Sequence, residues 1–442
     1  MAEEWNGVED AIEDPEEIRV IFCALDSFNQ YAKNAHLNCT HFRRQAFYAL
    51  PQAHWKMLAE PPFNYLDTLN RVDDAIESNA ELARTIVKMG LHSFGMVDPD
   101  VEAVMPEEWA GIAKYNDLDK ARSTIRQFYR DWSSEGRAER DACYGPVFSA
   151  LEVEKARKSV LEGTITQTPV EMLQTPPMKV LVPGAGLGRL VFDLCRFGYD
   201  SEGNEISYHQ LLASSYILNS CDRAGKHTIY PWIHSFSNHR SRANQFAAYR
   251  IPDVHPQQKL TEITAAGGTI GTMQMCAADF LCLYGDDAHA DTYDAVATVF
   301  FLDTAPNLIR YLEVIRRCLR PGGVLINVGP LLWHWENHVP GHHGYDGDGD
   351  YDENNSLGIA DPGSFELTDD EVVALVEKMG FVVETRHSGL RAPYVQDSQS
   401  MLQTVYNASY WVARKPDPNQ CNAMAVDADT ADKAGIMLGS HK

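Results

Sequence analysis

The stretch Lys179–Ser207, KVLVPGAGLGRLVFDLCRFGYDSEGNEIS, decides the fold. An apolar run closes at Pro183, glycines follow at Gly184, Gly186 and Gly188, a helical pattern runs to Gly198, and a short second strand ends on Glu205. Strand, tight turn, helix, strand is the opening of a doubly wound α/β sheet. Glycines at such a turn let the backbone approach a ligand closely, and an acid about 20 residues on can take a ribose diol. Gly184 is therefore a candidate ligand contact and Glu205 a candidate ribose residue. The motif by itself does not name the ligand.

The rhythm continues downstream. MQMCAADF reads as a third strand, YDAVATVFFLD as a fourth and GGVLINVGP as a fifth, with the helix APNLIRYLEVIRRCL between the last two. FELTDDEVVALVEKMGF is a helix opened by a capping signal, Thr368 with Glu371 three residues later, and FVVETRHS with YNASYWVARKP forms a last strand pair. From about Pro15 to Tyr129 the pattern is helical: EEIRVIFCALDSFNQYAKNAHLNC and DAIESNAELARTIVKMGLHSF place apolar residues at three- and four-residue spacing. The expected organisation is an N-terminal helical domain over 1–122 and a Rossmann-like α/β domain over 123–416. Tyr230–Gln258 is too long for an ordinary loop and reads as a lid. A Gly/Asp-rich insertion covers 338–360, and a polar tail expected to be disordered covers 417–442.

Net charge is −24 over 442 residues, which repels a phosphate backbone and makes nucleic acid a poor partner. The nine cysteines are scattered without CxxC pairs, as in a reducing compartment. No apolar run approaches the roughly 20 residues that cross a bilayer. These features predict a cytoplasmic or nuclear protein without a membrane partner. The run DGDGDYDENNSL imitates a calcium loop but has Tyr351 where Gly is needed and Leu357 where Glu is needed, so no metal is expected there.

NAD enzymes and methyl-donor enzymes share the Gly-rich layout, and the later strands separate them. Asp279-Phe280 follows the third strand, an acid for the exocyclic amine of an adenine and a ring for its face. The fourth strand leads to Asp303 at the carboxyl edge of the sheet, where a reacting group would lie. LRPGGVLIN resembles the turn before the fifth strand of class I S-adenosylmethionine-dependent methyltransferases. RDWSSEGRAERDACYGPV, VPGAGLGRL, GNEIS, YPWIHSFSNHRS, FFLDTAPN and PGGVLINVGPLLWHWEN together resemble the carnosine N-methyltransferase family, over roughly residues 123–416.

That resemblance implies S-adenosylmethionine as methyl donor and a small dipeptide as acceptor. It carries donor contacts onto Gln127, Arg130, Gly184, Glu205, Asp279 and Phe280. Gln127 and Arg130 lie three apart on one helix face, and an Arg can grip a carboxylate bidentately. A further donor position falls on Val299, where a backbone contact fits and a side-chain role does not. The acceptor site maps onto Asp303, His334 and Tyr406, with Asp303 as the catalytic residue. Where the family has a second Tyr two residues before Tyr406, this chain has Thr404, which bears on the acceptor more than on the reaction. The leading expectation is N-methylation of the imidazole of carnosine, giving anserine. A protein-histidine methyltransferase and a non-catalytic donor-binding scaffold are the alternatives. The apolar faces of the N-terminal helices are expected to help build the site or a homodimer interface.

Overall fold

The computed structural model describes residues 14–96, 104–161, 176–337 and 363–418. The Gly/Asp-rich insertion and the tail from 419 onward lie outside the described residues. The strands are β1 (Lys179–Pro183), β2 (Asp200–Glu205), β3 (His227–Ile229), β4 (Tyr249–Ile251), β5 (Met273–Ala277), β6 (Tyr293–Val299), β7 (Leu319–Gly329), β8 (Val382–Pro393) and β9 (Val405–Arg414). Seven form a mixed sheet ordered β5-β2-β1-β6-β7-β9-β8, and β3 pairs with β4 as a separate ribbon. β2 runs parallel to β5, and β1 and β7 run parallel to β6, while β9 is antiparallel to β7 with Trp411 opposite Asn327. Each strand of this sheet falls on a segment expected from the sequence. β1 and β6 are nearly all apolar and buried, as strands covered on both faces must be. The order reverses at β1, whose carboxyl end is the Gly-rich turn, and ligands of open α/β sheets bind at such reversals.

The chain divides into two compact units. The first comprises Met1–Gly145, Ala185–Ala277 and Arg391–Tyr406. Its helices include α1 (Pro15–Asn29), α2 (Tyr65–Ser93), α3 (Tyr115–Trp132), the start of α4 (Arg137–Leu161), α5 (Arg189–Arg196) and α6 (Tyr208–Ser215). Asp14 caps α1 by accepting from the Glu16 N–H, with Pro15 in the first turn where its missing N–H costs nothing. The apolar stripes of α1, α2 and α3 meet in one core: Leu25 and Phe28, Ile76 and Ile86, Phe128 and Trp132, closed by Tyr216, Ile217 and Trp232.

Polar ties reinforce that core. Ser78 donates to the Thr228 carbonyl at 2.7 Å, Asn79 exchanges hydrogen bonds with the backbone of Tyr230 at 3.1 and 2.7 Å, and the Tyr31 hydroxyl meets His234 Nε2 at 2.7 Å. The segment read as a lid therefore begins on buried anchors, Trp232 and Ile233 among them, and carries β4 and a short helix, Arg242–Gln245.

The carboxyl end of α3 has no glycine cap. Arg140 Nη1 donates to the carbonyls of Arg130 and Ser133 at 2.6 and 2.8 Å, Arg189 Nη1 to that of Asp131 at 2.9 Å, and the Asp253 N–H to that of Trp132 at 2.7 Å. Four successive carbonyls are satisfied, two guanidinium groups sit at the negative end of the helix dipole, and Asp253 pairs with both while Asp193 pairs with Arg189 as well.

The second unit comprises Pro146–Gly184, Ala278–Leu390 and Asn407–Lys442. α7 (Leu308–Cys318) and α8 (Asp369–Lys378) pack on β6, β7 and β9 through Tyr311, Leu312, Ile315, Val376, Leu325 and Trp411. The capping box expected at Thr368 and Glu371 is formed at the start of α8. Among the described residues no helix is long and apolar enough to cross a membrane.

Candidate functional site

In the first unit the Gly-rich turn and Glu205 are bound to each other. Gly186 has φ +58° and Gly188 φ +73°, conformations that favour glycine. A Cβ on Gly186 would lie 3.1 Å from both Gln127 Nε2 and Gln210 Oε1, a tight approach that would push on both side chains. The Gly186 N–H donates to Glu205 Oε2 at 2.9 Å, and the N–H groups of Ile206 and Ser207 donate to Oε1 at 2.9 Å each. Burial pushes the Glu205 pKa up, against three backbone donors that favour the anion. A carboxylate offers about four acceptor sites, so three backbone bonds leave capacity for a ribose hydroxyl. The residue is aimed before any ligand arrives.

Gln127 and Arg130 lie on α3 beside this turn. Gln127 Nε2 donates to Asp131 Oδ2 at 3.0 Å. Arg130 is 5% exposed, with its Nε 3.8 Å from Asp131 Oδ1 and its guanidinium carbon 4.8 Å from the centre of the Tyr394 ring. Burial works against the Arg130 charge, but Tyr144, Asp131 and Tyr394 outweigh it and hold the pKa up. Tyr394 meets Tyr406 edge to face at 6.3 Å. The structure thus brings Gln127, Glu205 and the turn together, and Arg130 and Tyr406 through Tyr394. Tyr394, Asp131 and Tyr144 were missed by sequence reasoning: two lie inside the quoted motif RDWSSEGRAERDACYGPV, and Tyr394 sits in a loop without periodicity.

The second unit holds the remaining candidates. Gly184 has φ +68°, and a Cβ there would strike Phe301 Cδ2 at 2.7 Å. Asp279 caps the short helix Phe280–Tyr284, its Oδ1 accepting from Leu281 and Cys282 N–H at 2.8 and 3.2 Å. Phe280 is 5% exposed and packs its ring against Phe301 and Tyr311, both 5.5 Å away, and Tyr284. Its ring is enclosed by the core as well as standing next to Asp279. Val299 ends β6 opposite Val328, at the carboxyl edge.

Asp303 sits in a turn of 3-10 helix just past β6 and is 4% exposed. Its Oδ2 accepts from the Leu332 N–H at 2.9 Å, and its carbonyl accepts from the His334 N–H at 3.1 Å. Trp333 and Trp335 flank His334 and pin the loop, their indole N–H groups donating to the carbonyls of Leu367 and Thr304 at 3.1 Å each. His334 is left exposed between them, its backbone on Asp303. Burial pushes the Asp303 pKa up, while the Leu332 N–H and the charge of His334 pull it down. A buried carboxylate fixed on one oxygen, beside an exposed imidazole, is equipped to orient a polar acceptor and to stabilise positive charge forming on it.

The first unit's residues fit a nucleoside methyl donor: a turn of left-handed glycines, a pre-aimed acid and a buried guanidinium. The comparison with known proteins agrees. The family model for carnosine N-methyltransferase matches residues 107–417. The carnosine N-methyltransferase of Rattus norvegicus is 33% identical over 395 residues, 89% of this chain and 85% of its own. That of Schizosaccharomyces pombe is 34% identical over 402 residues, 91% of this chain and 97% of its own. A match that runs through both units and takes in α3, the Gly-rich turn and the Asp303 turn is not a shared sheet alone, and the chain belongs to the carnosine N-methyltransferase family.

Proposed function

We propose that this protein methylates the imidazole of carnosine, or of a related His-containing dipeptide, with S-adenosylmethionine as donor. The donor supplies an activated methyl on a sulfonium, so the protein has to place a neutral nitrogen in line and keep water away. Arg130 takes the donor's carboxylate, Glu205 its ribose hydroxyls and Asp279 its adenine amine. Asp303 accepts the N–H of one ring nitrogen of the acceptor, and His334 and Tyr406 orient the peptide part. The observation that carries this reading is the buried, one-sidedly anchored Asp303 carboxylate, which an imidazole N–H satisfies and whose charge offsets the imidazolium that forms.

The direct test is incubation of purified protein and labelled S-adenosylmethionine with carnosine, free histidine or a protein extract. Label is expected on carnosine. Label confined to protein would support a protein-histidine methyltransferase instead, and donor binding without transfer would support a scaffold.

Donor binding checks the other half. Glu205→Ala removes charge-assisted contacts and is expected to weaken S-adenosylhomocysteine binding by roughly 1.5–3 kcal/mol. Titration calorimetry reads this directly, and unchanged affinity would place the ribose elsewhere.

A further inference from the structure

Val395 adopts φ +44°, the left-handed region, where a β-branched side chain is strained. Such a conformation persists only where its surroundings over-determine it. Here they do. The Val395 N–H donates to Glu139 Oε2 at 2.7 Å, the next N–H, of Gln396, donates to Glu139 Oε1 at 2.6 Å, and the Val395 carbonyl accepts from Arg126 Nη2 at 3.0 Å. Glu139 is 4% exposed, so both bonds are dry. α3 and α4 grip one turn of the β8–β9 connection from two sides.

The residue before that turn is Tyr394. Its ring lies over the Arg130 guanidinium and against Tyr406, and its N–H reaches the Thr404 carbonyl at 3.4 Å. Thr404 is exposed and carries no ring, and Tyr394 supplies an aromatic neighbour of Tyr406. We infer that Glu139 is a positioning residue: by holding Val395 in its left-handed turn it fixes the Tyr394 ring between Arg130 and Tyr406, and so sets the affinity for the acceptor. This rests on the reading that Tyr406 meets the acceptor.

The test uses the full chain. Glu139→Gln keeps one acceptor oxygen and turns an amide N–H₂ toward the second N–H, so one of the two bonds is lost. Amide hydrogen exchange across 391–406 is expected to speed up about tenfold, and the acceptor KM to rise about tenfold, with kcat and S-adenosylhomocysteine affinity each within about threefold. Tyr394→Ala combined with Glu139→Gln is expected to raise KM no further than Tyr394→Ala alone, since both act through one ring. In a Val395→Gly background the left-handed turn carries no strain, so Glu139→Gln is expected to change exchange and KM by less than about threefold.

That double variant also serves if Glu139→Gln alone does not fold. Unchanged exchange and KM in Glu139→Gln, additivity with Tyr394→Ala, or a full penalty in the Val395→Gly background would each overturn the inference. The exchange measurement needs no acceptor, so it decides the clamp even if carnosine proves not to be the substrate.

Discussion

Asp303→Asn is expected to lower turnover about 100- to 1,000-fold while S-adenosylhomocysteine affinity stays within about threefold. The amide keeps the shape and can still accept the Leu332 N–H, but it carries no charge to offset the nascent imidazolium. It can also present N–H₂ to the ring and favour the wrong tautomer. Single-turnover rates separate this loss from donor binding. If the carboxylate accepts the N–H of the ring nitrogen farther from the side-chain attachment, only the nearer nitrogen keeps a lone pair, and the product of carnosine is anserine. NMR of the product settles that point, and a far-nitrogen product would show that Asp303 does not set the tautomer. The pH profile follows from the same carboxylate. Its pKa is raised by burial, and the anion is the working form, so activity is lost as pH falls through a value above the ordinary Asp range. The acceptor imidazole also protonates at about 6.5, and Asp303→Asn should remove the carboxylate's acid limb and leave the imidazole's.

Asp253→Ala is expected to cost about 3–5 kcal/mol of stability, because it leaves the buried Arg140 without a carboxylate and Arg189 with Asp193 alone. The side chains of Arg140 and Arg189 are only 4% and 5% exposed. A domain stable by about 5–15 kcal/mol survives such a loss barely or not at all, so much of the variant should be insoluble. Chemical denaturation of the soluble remainder measures the rest. A loss below about 1 kcal/mol would mean that Asp193, already 3.1 Å from Arg189 Nε, and the carbonyls held by Arg140 suffice for the two guanidinium groups. The same change should loosen the end of α3, where Gln127 and Arg130 sit.

Legibility in the sequence followed periodicity and punctuation. β1, β6 and β7 are apolar runs bounded by glycine or acid, and α8 announces itself through Thr368 and Glu371, so these stood out. α4 did not, because Pro146 lies inside it and its first turns read as a charged motif rather than an amphipathic face. β3 and β4 have three residues each, too few for any period. Among site residues, Glu205 was legible from its spacing to the glycines. Its three backbone bonds were not, since they depend on how the turn closes. Asp279-Phe280 was legible as a pair, but the enclosure of the Phe280 ring by Phe301, Tyr284 and Tyr311 depends on segments joined only by folding. Arg140, Arg189 and Asp253 are scattered over more than 100 residues, and a charge triad of that reach leaves no local trace.

The ties that seat α2 against the β3–β4 ribbon bear on how the chain matures on the ribosome. Asn79 and the Tyr230 backbone that satisfies it are 151 residues apart. At about 5–20 residues per second, the amide of Asn79 waits roughly 8–30 s for its partner. Throughout that interval Ile76, Leu82 and Ile86 pack only against the part of their core already made, α1 and later α3, without Tyr216 or Trp232. The core of the opening helices is therefore completed only when synthesis has passed Trp232.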